Sequence, residues 1–316
     1  MSFFGGGTDF SEFYLENGGA VISTTFDKYC HVNVRELPDI FDYNTILSYA
    51  RTEKVSSVDE IRHPAIRNAM KWLGLERIAL NYDADVPAKT GLGTSSAFSV
   101  GMLNAFYTLQ GITKSKRELA DDAIYLERVL CGEAGGIQDQ IAAAFGGFNR
   151  IDFGKDGYTV KPIEITEERK LELNSNLLMF FTGLSRFSFE IQEKTKEAMV
   201  RKKSELKEML KMVDVAENIL TDPNSSLDDF GRLLNETWLL KRSISSKIST
   251  DFIDECYGKA MNAGALGGKL LGAGGGGCLL FYVPEKNHES VRKAFAGMHE
   301  VKFRFENGGT QIICNN

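Results

Sequence analysis

The stretch Val86–Phe98, VPAKTGLGTSSAF, decides how this chain is read. It follows RIALNYDADV, residues 77–86, where Ile78, Leu80 and Tyr82 alternate with other residues in the manner of a strand. From Thr94 the period changes: Phe98, Met102, Ala105 and Phe106 fall on one helical stripe, with Thr94 or Ser95 placed to cap its start. A glycine turn feeding a helix N-terminus has two uses. It brings main-chain N–H groups against a phosphate, aided by the helix dipole, or it caps a buried helix and binds nothing. The loop alone leaves both open.

Spacing removes two nucleotide motifs. A dinucleotide fingerprint needs G-x-G-x-x-G and an acidic residue about 20 positions on, at the end of a second strand. Here Ser96 stands where the third glycine belongs, and residues 110–116 read as a helix-end loop. The Walker pattern fails because no lysine precedes the hydroxyls. What remains is a loop whose N–H groups suit a polyphosphate, with Thr94, Ser95 and Ser96 able to bond phosphate oxygens or ligate Mg²⁺, a cation that prefers oxygen.

The bulk composition fits a soluble globular protein. The 316 residues suggest two domains, with 43% hydrophobic and 25% charged residues. The net charge of −6 and the short basic runs disfavour a nucleic-acid partner. No apolar run is long enough to span a bilayer and no export signal is evident, so no membrane partner and a cytoplasmic location are expected. Five cysteines without a CxxC spacing agree with a reducing compartment, and four scattered histidines do not suggest a metal site.

Along the chain, residues 18–35 read as two strands with a turn near Asp27-Lys28. Helices are expected over 116–131, 136–145, about 190–220, 227–241 and 251–263, the last ended by Gly264. A glycine run, Gly272–Gly277, leads into an apolar strand and a final helix–strand alternation. This order indicates an α+β protein, not a doubly wound parallel sheet.

Three motifs now stand in order. Pro87–Ala97 resembles the second motif, P-x-x-x-G-L-G-S-S-A, of the GHMP kinases (galacto-, homoserine, mevalonate and phosphomevalonate kinases). GGGTDF (Gly5–Phe10), followed by NGGAV, is similar to the first motif of their sugar-kinase members. KLLGAGGGGC (Lys269–Cys278) is similar to the glycine-rich third motif, here Gly272, Ala273, Gly274, Gly275 and Gly276. The resemblance spans nearly the whole chain. It implies a two-domain α+β fold: a ribosomal-protein-S5-like N-terminal domain over residues 1–165 and a ferredoxin-like C-terminal domain over 166–316.

The resemblance also implies roles. ATP is the co-substrate and Mg²⁺ the metal, with Gly91, Leu92, Gly93, Thr94, Ser95, Ser96 and Ala97 around the phosphates. Asp139, in GGIQDQIAAAFGG, carries over as the base, against the plain alternative of a helix cap. Ser95 and Glu127 carry over as metal ligands. The family's glutamate lies about eleven residues before the base and Glu127 lies twelve before it, so Glu133 is the rival. Gly7, Thr8 and Asp9 are implied at the sugar.

SFFGGGTDF, FDKYCHV, GIQDQIAAAFGGFNRIDF, FFTGLSRFSFEI and WLLKRSISSKIS together resemble the branch acting on the anomeric hydroxyl of a heptose 7-phosphate, on the way to nucleotide-activated heptose for surface polysaccharide. A substrate phosphate needs fixed cations; Arg186, Lys241 and Lys247 are the candidates, with Lys28 and Arg150 behind them. Another anomeric sugar kinase of fucose type, and a sensor that binds without turnover, remain as alternatives. Both monomer and homodimer stay open. Relatives carry a strand with an arginine before the first glycines, whereas only Met1–Phe4 precede Gly5 here. An open sheet edge, with lower stability or activity than in a version extended upstream, is therefore expected.

Overall fold

The computed structural model describes residues 1–88, 90–184, 202–272 and 274–315. Its first part contains β1 (Ser2–Phe4), α1 (Ser11–Asn17), β2 (Gly19–Phe26), β3 (Cys30–Glu36), β4 (Thr45–Ser48), β5 (Thr52–Val55), α2 (Pro64–Leu73) and β6 (Ile78–Ala84). α3 (Thr94–Leu109), α4 (Lys116–Ile124), a π-turn (Tyr125–Leu130), α5 (Gln138–Phe145), β7 (Phe148–Gly154), β8 (Gly157–Pro162), α6 (Glu167–Ser175) and β9 (Leu177–Phe181) follow. The remainder is α7 (Lys203–Thr221), α8 (Leu227–Ile244), α9 (Asp251–Asn262), β10 (Gly267–Leu270), β11 (Cys278–Tyr282), α10 (His288–Ala294), β12 (His299–Glu300) and β13 (Phe305–Glu306).

These strands form three sheets. The first has the order β1-β2-β7-β8, with β13 also pairing β2; the second is β3-β6-β4-β5; the third is β10-β11-β9-β12. Among the described residues only β4 and β6 pair in parallel, which agrees with α+β and excludes the doubly wound alternative. One core cluster joins Val21 and Ile151 of the first sheet, Leu47 and Leu80 of the second, and Phe98, Met102, Leu103 and Phe106 of α3. A helix with that many buried positions belongs at the centre of its layer, not on a surface. A second cluster packs α8, α9 and α10 on the third sheet through Trp238, Tyr257, Phe281 and Phe295.

The third cluster joins the two halves of the chain. Phe3 and Phe4 of β1 and Ile22 of β2 meet Val213 of α7, Phe230 of α8, and Leu280 and Tyr282 of β11. The Phe4 and Phe230 rings meet edge-on at 5.0 Å, at an interplanar angle of 88°. This corrects the open-edge expectation: three residues suffice to pair, with Phe4 opposite Ile22.

Other differences are local. The helix at 116–131 breaks into α4 and the π-turn. The start of α3 is capped by neither Thr94 nor Ser95; Gly93, in the left-handed region at φ 71°, holds the cap position. Of the long helix near 190–220, Lys203–Thr221 is described, and the remainder lies outside the described residues. β13 brings the end of the chain back to the first sheet, and the Thr310 N–H donates to Ala143 O of α5.

Because the Phe4 side chain is fully buried, Phe4→Ala should cost about 3–5 kcal/mol by urea unfolding; a cost near that of a surface substitution, ~0.5 kcal/mol, would remove β1 from the shared core.

Candidate active site

The two glycine loops are built against each other. A Cβ on Gly91 would stand 2.2 Å from Leu271 O, and one on Gly272 would stand 2.5 Å from Gly91 Cα. Both residues also have positive φ, 76° and 84°, so no other residue fits either place without strain. Cys278 N–H donates to Thr90 O at 3.0 Å, continuing the contact. The later glycines pack on main chain elsewhere: Gly274 on Ile248, Gly276 on Leu184 and Gly277 on Thr90. Gly275 donates its N–H to Ile248 O. Ala273 lies outside the described residues. The third motif thus holds the second in place. Since no side chain caps α3, the N–H groups of its first turn remain for a ligand.

The first motif meets the start of α5. Asp9, only 1% exposed, accepts N–H bonds from Gly7 at 3.0 Å and from Gln138 at 3.2 Å. A Cβ on Gly136 would sit 1.8 Å from its Oδ2, so that glycine makes room for the carboxylate. Burial raises the Asp9 pKa above the usual carboxylate value, Asp139 adds to the rise, and the two N–H bonds oppose it. Thr8 has a different position from the one expected. It is fully buried, and its hydroxyl shares its one proton between the main-chain carbonyls of Gly5 and Ala20 while accepting from Ala20 N–H. It has no free face for a sugar.

Asp139, in the first turn of α5, faces Gly93: a Cβ there would lie 3.6 Å from the Asp139 carboxyl carbon. A cavity of about 110 Å³ gathers Asp9, Gly93, Arg128, Asp139, Lys241 and Lys269 in its walls, with Gly7, Gly91, Leu92 and Gly272 beside them. Lys241 is 9% exposed and donates to Gly272 O at 2.9 Å. The other proposed cations are elsewhere. Lys247 is exposed and does not line this cavity. Arg150 is bound by Asp152, Asp214 and Glu217, and Lys28 pairs with Asp27. Arg186 lies outside the described residues.

Glu127 is behind α3, 2% exposed, and does not line the cavity. Its Oε2 accepts from Ser96 Oγ at 3.2 Å and from Gln140 Nε2 at 2.5 Å. Ser96, not Ser95, therefore contacts it, as does the Ser99 side chain; Ser95 is exposed on the first turn of α3. Glu127 Oε1 and Thr94 Oγ1 are buried with no hydrogen bond among the described residues. Burial raises the Glu127 pKa, and Arg128, 3.5 Å away, opposes the rise. Glu133 is more exposed, with Arg128 at 4.0 Å. Glu127 belongs to the π-turn, where Cys131 N–H reaches Leu126 O, five residues back. Such a turn takes up one residue more than an α-helix over the same span.

Sequence reasoning missed Lys269, Arg128 and Gly136. Lys269 carried a signal, a lone lysine in the apolar run GGKLLG. Arg128 and Gly136 carried none, because their roles arise from where the loop at 131–137 folds.

Two outcomes test this geometry. Gly91→Ala should lose at least the roughly 1–3 kcal/mol of a strained left-handed residue and weaken ATP binding, seen by thermal unfolding and calorimetric titration; unchanged values would break the loop-on-loop argument. A carboxyl whose pKa is raised on folding stabilises most below its unfolded value and loses that contribution as pH rises through the folded value. Glu127→Gln should therefore raise the unfolding midpoint at neutral pH, with the gain shrinking as pH falls through the carboxylate range. A gain independent of pH would contradict the assignment of the burial cost to Glu127.

Comparison with known proteins identifies the family. The GHMP kinases N terminal domain matches residues 61–147 and the GHMP kinases C terminal domain matches 215–300. The chain is 30% identical over 307 residues to D-glycero-alpha-D-manno-heptose 7-phosphate kinase of Campylobacter jejuni, covering 91% of this chain and 88% of that one. It is also 30% identical over 259 residues to mevalonate kinase of Thermococcus onnurineus, covering 77% and 68% respectively. Among solved structures, a D-glycero-D-manno-heptose 1-phosphate kinase from Bacteroides thetaiotaomicron superposes with a TM-score of 0.72 at 25% identity, over 98% of this chain and 94% of that one. The chain belongs to the GHMP kinase family and is an ATP-dependent phosphotransferase.

Proposed function

We propose that this kinase phosphorylates the anomeric hydroxyl of a sugar, with D-glycero-D-manno-heptose 7-phosphate as substrate and the 1,7-bisphosphate as product. The observation that carries the reading is one cavity in which Asp139 faces the Gly93 turn while Asp9 lies in the same wall. The similarity to heptose phosphate kinases over most of the chain supports the choice of sugar.

In this reading the N–H groups at the start of α3 receive the ATP phosphates. Asp9, fixed by Gly7 and Gln138 N–H groups, keeps further lone pairs for sugar hydroxyls. Asp139 takes the proton from the C1 hydroxyl as its oxygen attacks the γ-phosphorus; the bond to the β-phosphate oxygen breaks and ADP leaves. Held rigidly on α5, Asp139 reduces the reaction largely to positioning, which is where phosphoryl transfer draws its rate.

The residues fit Mg²⁺. Glu127 Oε1 is a buried oxygen without a hydrogen bond among the described residues, near the hydroxyl-bearing first turn, and Mg²⁺ commonly uses one or two carboxylates together with substrate phosphates. Among the described residues no three His, Cys, Asp or Glu side chains converge, as a resident site of protein ligands alone would need. Glu127 and a hydroxyl from Ser95 or Ser96 would hold the ion, which would offset charge on the β- and γ-phosphates. Glu127 is preferred to Glu133 because it accepts a hydrogen bond from Ser96 of α3, and the π-turn accounts for its extra residue of spacing.

The test is ADP release with Mg-ATP across free sugars, sugar 6-phosphates and heptose 7-phosphate. The heptose 7-phosphate should show the highest kcat/KM, and an unphosphorylated sugar leading the panel would overturn the specificity. Asp139→Asn should lower kcat by roughly 10²–10⁴-fold while ATP still binds; turnover near the parent rate would remove Asp139 as base.

A further inference from the structure

The cavity contains two buried lysines with no carboxylate in ion-pair contact among the described residues. Lys241 on α8 and Lys269 on β10 are 9% and 4% exposed. Lys269 donates to Ser2 O at 2.8 Å and Phe3 O at 2.9 Å, and Lys241 donates to Gly272 O at 2.9 Å. Among the described residues, each ammonium is hydrogen-bonded only to main-chain carbonyls. An ammonium has three donors, so Lys269 retains one and Lys241 two. Both side chains line the same cavity as Asp139.

An isolated buried cation is costly, and two that repel each other are costlier. Burial pushes both lysines toward their neutral forms; the Lys241 charge pushes Lys269 further that way, while Asp9 and Asp139 oppose the shift at Lys241 and Asp139 opposes it at Lys269. Hydrogen bonds to carbonyls hold the two nitrogens in place without neutralising them. Such a pair is completed by a ligand carrying about two negative charges, the charge of a phosphoryl group. Arg128 is less suited to the task. Its guanidinium is engaged by Gly136 O and Glu133 O, with Glu127 at 3.5 Å.

We infer that Lys241 and Lys269 form a two-ammonium seat for a phosphoryl group beside Asp139. Its occupant is either the group in transfer from ATP or the phosphate the sugar already carries. The seat is also tied into the fold: Lys269 joins β10 to β1, and Lys241 joins α8 to the third glycine loop. The inference rests on the kinase reading above and adds Lys269 to its binding residues.

The test uses the full chain with Lys241→Met, Lys269→Met and Lys269→Arg. With the nucleotide loop filled by saturating ADP, inorganic phosphate is titrated calorimetrically. Each methionine variant should bind phosphate at least about tenfold more weakly, Lys269→Arg should recover part of the loss, and ADP affinity should stay within about twofold. Lys241→Met leaves the β1 contacts of Lys269 intact, so it decides the matter if Lys269→Met does not fold. Phosphate affinity unchanged in Lys241→Met overturns the seat.

Steady-state kinetics then identify the occupant. A raised KM for the heptose 7-phosphate alone points to the sugar's own phosphate. A fall in kcat with every acceptor, at constant KM, points to the group in transfer. Unmoved kcat and KM in a folded Lys241→Met overturn the proposal. If no sugar is turned over, the proposed substrate fails, and the phosphate titration still decides the seat.

Discussion

The main chain of the second glycine loop lies directly on that of the third, Gly91 against Leu271 and Gly272. Almost every feature of the cavity depends on this approach. It brings the start of α3 to β10 and α8, and so places the Gly93 turn and Asp139 opposite the two lysines. Side chains would hold the loops apart by a carbon layer. The glycines are therefore needed less for flexibility than for absence of bulk, and positive φ at both positions makes the requirement stricter.

Around that contact the protein concentrates charge where water is scarce. Asp9, Glu127, Lys241 and Lys269 are all buried, and each is displaced toward its neutral form. Such an arrangement lowers stability in the resting molecule, because each charge is only partly compensated. It also leaves strong, oriented electrostatics for a charged reactant, since interactions among buried groups are larger than in water. The aromatic cluster of Phe3, Phe4 and Phe230, wholly apolar, lies alongside and holds the two halves of the chain together.

Much of this could be read from the residues, and what could not has a physical cause. Strand alternation in 18–35 and 77–86 and the helical stripe from Thr94 are local periodicities, and they appear as β2, β3, β6 and α3. The motifs were legible because glycine, hydroxyl and acidic residues at fixed spacing rarely recur by packing alone. The short strands β4 and β5 and the return of β13 to β2 went unread, since they are defined by partners distant in sequence. Thr8 misled for a related reason: a hydroxyl beside an acidic residue looks like a sugar contact until the carbonyls of Gly5 and Ala20 are seen to occupy it. Lys247 misled because seriation on a helix and loop does not say which lysine turns inward; Lys241 does and Lys247 does not.

The π-turn at Tyr125–Leu130 has a meaning beyond the placement of Glu127. A helix buried on one face normally rejects a single inserted residue, since every later side chain would rotate by about 100° away from its packing partner. Widening one turn confines the insertion to a local bulge and leaves the flanking segments in phase. Lineages of this fold can therefore differ in length by one residue within a buried helix while their functional groups stay superimposable.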